Sequence, residues 1–296
     1  MVQVLLAGAT GNQGVRTARA LVARGAAVRA LVRPGTPAAA IEHLRAIGAA
    51  PVIAAYDDAP ALRRSMEGAA VVVSAVSGLA PVIVDAQTRL LEAAVAAGVP
   101  RFIPSDYSID YTALPAGRNR NFDLRRTFRA RLNAAPIRAT SIFNGAFADM
   151  LAGEMPLIVR PLRRVLYWGS ADQPFALTTR DDTAAFTAAA ALDEQAPRDL
   201  HIAGTEATAR SIAALMRELS GRRYRPLRAG SVNGLERLSR LVRRVAPQKQ
   251  AVFPAWQGMQ YMRDMFDGRA PSAPIDNDRY PDMSWTDLRE VLRAGA

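Results

Sequence analysis

Three glycines at intervals of three, Gly8, Gly11 and Gly14 in "LLAGATGNQG" (5–14), are the residues whose type and spacing point most directly to chemistry. A glycine behind an apolar run permits a tight turn, and a second lets an anion approach the backbone. A third lets the following helix pack close to the strand, so that free N–H groups at the helix start face a pyrophosphate. The run before them, 2–7, is short, apolar and β-prone, as a strand buried on both faces should be. After Gly14, Val15, Ala18, Leu21 and Val22 fall on one helical face, and Gly25 marks the stop. A dinucleotide site is expected here.

The same alternation continues. Strands are expected at 26–33, 51–56, 70–76, 101–105 and 137–143, with helices at 36–48, 61–66, 82–97 and 121–133 between them. Strand–helix repetition with short links implies an α/β fold, a doubly wound parallel (Rossmann) sheet whose ligands sit at the carboxyl ends of its strands. Residues 1–145 are read as the nucleotide-binding domain. Residues 146–296 are read as mainly a smaller α/β substrate lobe, with strands around 156–168, helices near 181–193, 208–219 and 232–245, a segment about 199–204 returning to the sheet, and a capped final helix at 284–292.

The end of the second strand reads Leu31-Val32-Arg33-Pro34-Gly35, with no acid to accept bonds from ribose hydroxyls. Arg33 is placed to pair with a 2′-phosphate, which favours NADP(H); the alternative is a surface residue of an arginine-rich chain. Asp57, just past the third strand, is placed to reach an adenine, or with Asp58 to cap the next short helix. Ser77 and Gly78, ending the fourth strand, fall near the nicotinamide-side ribose.

Composition bounds the rest. A chain of 296 residues, 50% hydrophobic, can bury a large core, and no run approaches the eighteen or so apolar residues of a membrane span. The start "MVQVLLAGATG" lacks a basic region and a cleavage site, so a cytoplasmic chain is expected. There is no cysteine, and the two histidines, His43 and His201, are far apart, which argues against disulfides, thiolate chemistry and a metal site. The net charge of +11 raises nucleic acid as a ligand. However, Lys249 is the one lysine and the arginines are scattered along the chain, so that reading is disfavoured. The stretch 235–245 sets Leu235, Leu238, Leu241, Val242 and Val245 against four arginines, as either a surface helix with a solvated basic face or a surface for a partner or membrane.

Together, "GATGNQG", "RALVRPG", "VVVSAVSG", "RFIPSDYSIDY" and "SIFNGAF", in this order and spacing, resemble the NmrA-like, isoflavone-reductase-like branch of the atypical short-chain dehydrogenases/reductases. The resemblance implies that Gly8, Thr10, Gly11, Asn12, Gln13 and Gly14 bind the pyrophosphate and Arg33 the 2′-phosphate. It also implies Asp57 and Asp58 on the adenine side, Ser77 and Gly78 at the ribose, and Ile142, Phe143 and Asn144 bordering the nicotinamide and a small-molecule substrate.

The departure lies in the proton chemistry. The reductase branch carries a lysine about twenty residues past the "PS" pair; here "RNRNFDLRRTF" (118–128) has none, and Leu124 or Arg125 holds its place. Arginine can anchor ribose or phosphate but, with a pKa above about 12, cannot give up a proton near neutrality. The Tyr-x-x-x-Lys pair is missing too, since Tyr111 follows Tyr107 by four and Pro115 follows Tyr111 by four. Two functions remain. One is an NADPH-dependent oxidoreductase acting on a small aromatic, unsaturated or carbonyl compound, in which Ser105 or Tyr107 orients the substrate and a tyrosine or water supplies the proton; Tyr107 is equally read as a loop aromatic over the cofactor. The other is an NADP(H) sensor whose loop 106–121 orders on binding and alters an interface with a protein partner or a second copy.

Overall fold

The computed structural model describes residues 1–269 and 274–294. The first half alternates β1 (Gln3–Ala7), α1 (Asn12–Ala23), β2 (Ala27–Val32), α2 (Ala38–Ile47), β3 (Ala50–Ile53), α3 (Ala59–Met66), β4 (Val71–Ser74), α4 (Gln87–Ala96), β5 (Arg101–Ile103), α5 (Arg120–Ala134), β6 (Arg138–Ala139) and β7 (Ser141–Phe143). Six of these strands form one parallel sheet in the order β3-β2-β1-β4-β5-β6, the doubly wound arrangement expected.

The central strand shows why it reads as a continuous apolar run: Val4, Leu5, Leu6 and Ala7 are all fully buried. Val4 and Leu6 join one core with Ala18 and Leu21 of α1 and Leu44 of α2, whereas Leu5 and Ala7 join another with Met66, Leu90 and Phe128. Side chains alternate across the sheet while both faces are covered, so neither phase can be polar.

The second half contributes β8 (Ala146–Phe147), β9 (Ile158–Val159), β10 (Arg164–Trp168), β11 (Phe175–Thr178), α6 (Arg180–Leu192), β12 (Asp199–His201), β13 (Thr205–Ala207), α7 (Ala209–Ser220), β14 (Arg225–Gly230), α8 (Val232–Val245), α9 (Ala255–Phe266) and α10 (Leu288–Ala294). Two small three-stranded sheets, β14-β10-β9 and β13-β11-β8, share a third core that includes Trp168, Phe175, Ile212 and Phe266. Two elements join the first half instead. Phe186 and Ala190 of α6 enter the core beside α1, and β12 pairs in parallel with β7. The stretch 137–143 is divided at Thr140: its first part bonds to β5, Thr140 N donates to Phe102 O at 3.1 Å, and its last part turns to β12.

Two expectations need correction. The helix expected over 82–97 opens with a wide π turn at Pro81–Ala86, and the α-helix begins at Gln87. There the side chains of Gln87 and Thr88 donate to the carbonyls of Ile83 (2.7 Å) and Val84 (2.6 Å). The final helix starts at Leu288, not at 284, because Asp182 at the start of α6 accepts both Thr286 N and Thr286 Oγ1 at 3.0 Å and holds that stretch out of the helix. On α8, Leu235 is buried while Leu238, Leu241 and Val245 are exposed.

Candidate active site

The carboxyl ends of β1 and β4 meet at the glycine turn. Gly8 has φ +75°, and a Cβ there would lie 2.7 Å from the backbone carbonyl of Ala75. Gly14, buried in the first turn of α1, would place a Cβ 2.0 Å from Gly8 O. Gly11 caps α1 with no side-chain acceptor, and the first turn carries no acid. The helix start therefore offers backbone N–H groups and positive dipole to an anion, with Thr10, Gly11 and Asn12 exposed around it. Gln13 is half-buried; its Nε2 donates to Arg180 O (3.3 Å) and its buried Oε1 has no partner. This cradle fits a pyrophosphate.

Arg33, at the end of β2, is exposed, and among the described residues no hydrogen bond or ion pair engages its guanidinium. Asp57 is exposed as well, and the Asp58 carboxylate accepts Ala61 N at 2.9 Å and caps α3, the capping role weighed for this pair. Ser77 is exposed past the end of β4, and Gly78 lies against Val82, whose Cβ would be 2.6 Å from an added methyl.

At the end of β5 the residues expected to do chemistry are otherwise engaged. Ser105 Oγ donates to Val76 O at 2.6 Å, its N–H donates to Gln87 Oε1 at 3.2 Å, and its carbonyl accepts Arg125 Nε at 3.1 Å. Its hydroxyl stitches two strand ends together and is not free to orient a substrate. Tyr107 lies in the core cluster with Ile142, Phe186 and Leu200, its hydroxyl buried beside Thr187, and burial pushes its phenol well above the ordinary range. Neither hydroxyl is presented to a ligand in this arrangement, one being sealed in packing and the other giving its proton to a carbonyl. The structure also resolves the lysine's place. Leu124 packs on the core beneath α5, while Arg125 turns toward Ser105.

The neighbouring Asp106 carries a signal the spacing did not show. It is buried, accepts Tyr111 Oη (3.0 Å) and Ser141 Oγ (2.7 Å), and burial raises its pKa against those bonds and against Arg125 and Arg129. Arg129 in turn grips Asp199 of β12 with both terminal nitrogens (2.8 and 2.7 Å). This network joins the loop after β5 to β7 and β12.

One residue beyond β7, Asn144 is fully buried with neither side-chain amide atom paired, while its carbonyl accepts Thr178 Oγ1 at 2.8 Å. Beside it opens a cavity of about 200 Å³ lined by Phe143, Phe175, Met265, Asp110, His201 and Glu206. The His201 ring stacks on Phe143 with centroids 5.2 Å apart, and its Nε2 is 3.0 Å from Asp110 Oδ2. Burial opposes ionisation of Asp110, but the bonds from His201 and from the Thr112 hydroxyl and N–H outweigh it and hold the carboxyl below its usual range. This pair, 91 residues apart in sequence, escaped sequence reasoning; the pairing of β12 with β7 sets His201 beside Phe143, and the loop after β5 brings Asp110 to it. Among the described residues no cluster of metal-ligating side chains occurs, and no helix is long and apolar enough to cross a membrane.

The chain is similar to known proteins. Pinoresinol reductase 1 of Arabidopsis thaliana is 32% identical over 201 residues, and an isoflavone reductase homolog of Lupinus albus is 30% identical over 201. The first alignment covers 63% of each chain, the second 62% of this chain and 64% of the relative, so the matches span under two thirds of the relatives' length. Among solved structures, a chain from the crystal structures of pinoresinol-lariciresinol and phenylcoumaran benzylic ether reductases superposes with a TM-score of 0.85 at 21% identity, covering 100% of both chains. The leucoanthocyanidin reductase–NADPH complex from Vitis vinifera does so with 0.82 at 20%, covering 99% of each. At those identities the likeness is one of fold. The family model for the NmrA-like family matches residues 2–267, and with the glycine turn and the sheet order already in place, the chain belongs to the NmrA-like family.

Proposed function

We propose that this chain is an NADPH-dependent reductase of a small aromatic substrate bearing a conjugated carbonyl, with residues 1–145 holding the nucleotide and 146–296 mainly closing over the substrate. The observation that carries the reading is the glycine cradle. Side chains are barred at Gly8 and Gly14, and α1 begins with uncapped N–H groups. Relatives named as reductases and a neighbour solved with NADPH support it.

When bound, the reduced nicotinamide supplies hydride. The chain's own residues do the rest. The start of α1 holds the pyrophosphate, and the unengaged Arg33 takes the 2′-phosphate through charge-assisted bonds. Arg125, fixed by Ser105 O, provides a permanent positive charge beside the end of β5 without donating a proton. Phe143 presents an aromatic wall, and the cavity of about 200 Å³ lies below the roughly 300–1,000 Å³ of drug-sized ligand pockets. A one-ring compound suits it better than a two-ring lignan.

The test is calorimetric titration with NADPH, NADP⁺ and NADH, followed by nicotinamide absorbance against quinones, enones and aromatic aldehydes. NADPH should bind more tightly than NADH. Arg33→Asp should weaken NADPH by about 10- to 100-fold, the loss of charge-assisted bonds worth about 1.5–3 kcal/mol. Equal affinity for NADPH and NADH removes the role of Arg33, and tight binding without oxidation by any compound assigns the chain to cofactor sensing instead.

A further inference from the structure

We propose that His201, oriented by Asp110, is the proton donor of this reduction. The inference rests on the reductase reading and names the residue that replaces the missing lysine. The alternatives near the site are accounted for: Arg125 cannot release a proton, Ser105 Oγ is bonded to Val76 O, Tyr107 is in the core, and Tyr111 Oη donates to Asp106.

His201 ends β12, one strand beyond Phe143, and its side chain keeps 22% of its surface exposed on the cavity. Its position is fixed from two sides. The His201 N–H donates to Asp276 Oδ2 and the Asp276 N–H donates to His201 O, both at 2.7 Å, while the ring lies on Phe143. Asp110 is itself anchored, its Oδ1 accepting Thr112 N (2.8 Å) and Thr112 Oγ1 (2.6 Å), so that Oδ2 is aimed at the imidazole. With Nε2 committed to a carboxylate, Nδ1 is the nitrogen left for a ligand, and it makes no hydrogen bond among the described residues. A carboxylate on one ring nitrogen orients the imidazole and stabilises its charged form while the other nitrogen exchanges protons.

The charged groups facing the ring are Asp110 from the loop after β5, Asp276 from the segment along the edge of β12, and Glu206 of β13 at the cavity wall. A cavity whose other ionisable side chains are acids disfavours an anionic substrate, so the ligand class is a neutral enone, quinone or aromatic aldehyde. In the step, hydride from the reduced nicotinamide forms a C–H bond at the electrophilic carbon. The π electron pair displaced from the conjugated carbonyl system moves onto oxygen, and that oxygen takes the proton from Nδ1. The products are the enol or alcohol, the oxidised nicotinamide and neutral imidazole, which solvent reprotonates.

The experiment compares the wild type, His201→Gln and Asp110→Asn by single-turnover NADPH oxidation from pH 5 to 9, by calorimetric NADPH binding, and by NMR titration of the two histidine rings. The NMR arm uses NADP⁺ with the enone benzylideneacetone as probe, and exposed His43 as internal reference. A proton donor must be protonated, so the wild-type rate should fall toward high pH. That limb should vanish in His201→Gln, whose rate at pH 7 drops by about 100-fold or more with NADPH affinity unchanged. Asp110→Asn should lose about tenfold, and benzylideneacetone should shift the His201 signals but not those of His43. A His201→Gln enzyme with the wild-type rate or pH limb overturns this assignment and leaves the reductase standing. A wild type that binds NADPH but reduces nothing overturns both.

Discussion

Replacing Gly14 by alanine tests the cradle most sharply, because Gly11, three residues away, is a control for the packing cost in the same turn. At Gly14 the added methyl would lie 2.0 Å from Gly8 O, 2.7 Å from Gly8 C and 2.9 Å from Ala9 Cα, all backbone atoms that no rotamer can move aside. Ordinary C···O contacts begin near about 3.3 Å, so α1 must retreat by roughly 1.3 Å. At Gly11 the one close atom is Gly8 O at 3.3 Å, and the cap has φ −78°, which alanine adopts freely. Overpacking of this kind costs about 1–3 kcal/mol, a melting temperature lower by about 2–10 °C in a chain of this size. The displaced N–H groups also lose an anion interaction of up to about 2 kcal/mol, or about 30-fold in NADPH affinity. Differential scanning calorimetry should separate the two, with a large drop in melting temperature for Gly14→Ala and a small one for Gly11→Ala, while isothermal titration on Gly14→Ala reads the loss of NADPH affinity. A Gly14→Ala protein that binds NADPH like the wild type would refute the cradle.

Two further outcomes follow from side chains outside the turn. Asp182→Ala removes the acceptor of Thr286 N and Oγ1 and leaves two donors without a partner, so urea unfolding should show a loss of about 1–3 kcal/mol, whereas Asp182→Asn should retain part of it. Burial opposes ionisation of Asp193, but its bonds from Arg279, Tyr280 and the Gln195 N–H outweigh this and hold its carboxyl below the usual range. Its folded pKa lies below its unfolded one, so its contribution is present above about pH 4 and lost as pH falls through the folded value. The gap in urea midpoint between wild type and Asp193→Asn should therefore shrink from pH 6 to pH 3.

The periodic elements were legible because their causes are local: an apolar run sealed on both faces, a stripe of alanines and leucines, a glycine stop. The glycine turn was legible for the same reason, since each glycine answers a steric demand within ten residues of chain. The chemistry was not. Tyr107 and Ser105 sit in a stretch with the composition of a loop, yet one is packed under α6 and the other bonded across to Val76, contacts fixed by elements 29 or more residues away. His201 and Asp110 have no mutual spacing that a motif could express. The start of α10 escaped for a similar reason: local capping signals at 284 lost to a carboxylate 104 residues earlier.

The division of the strand at Thr140 bears on how the chain folds. A ribosome that has released residues through 145 has delivered the whole glycine cradle, yet β7 then has no neighbour on its far side and the core beside α1 lacks Phe186. Such a fragment exposes an unpaired parallel edge and an open apolar face, the features that drive strand-to-strand association between chains. Residues 1–145 are thus not a module to be cut out and grafted elsewhere. The partner strand of β7 is delivered only when His201 emerges, so the strand that covers β7 also completes the wall of the cavity, and folding and site assembly finish together.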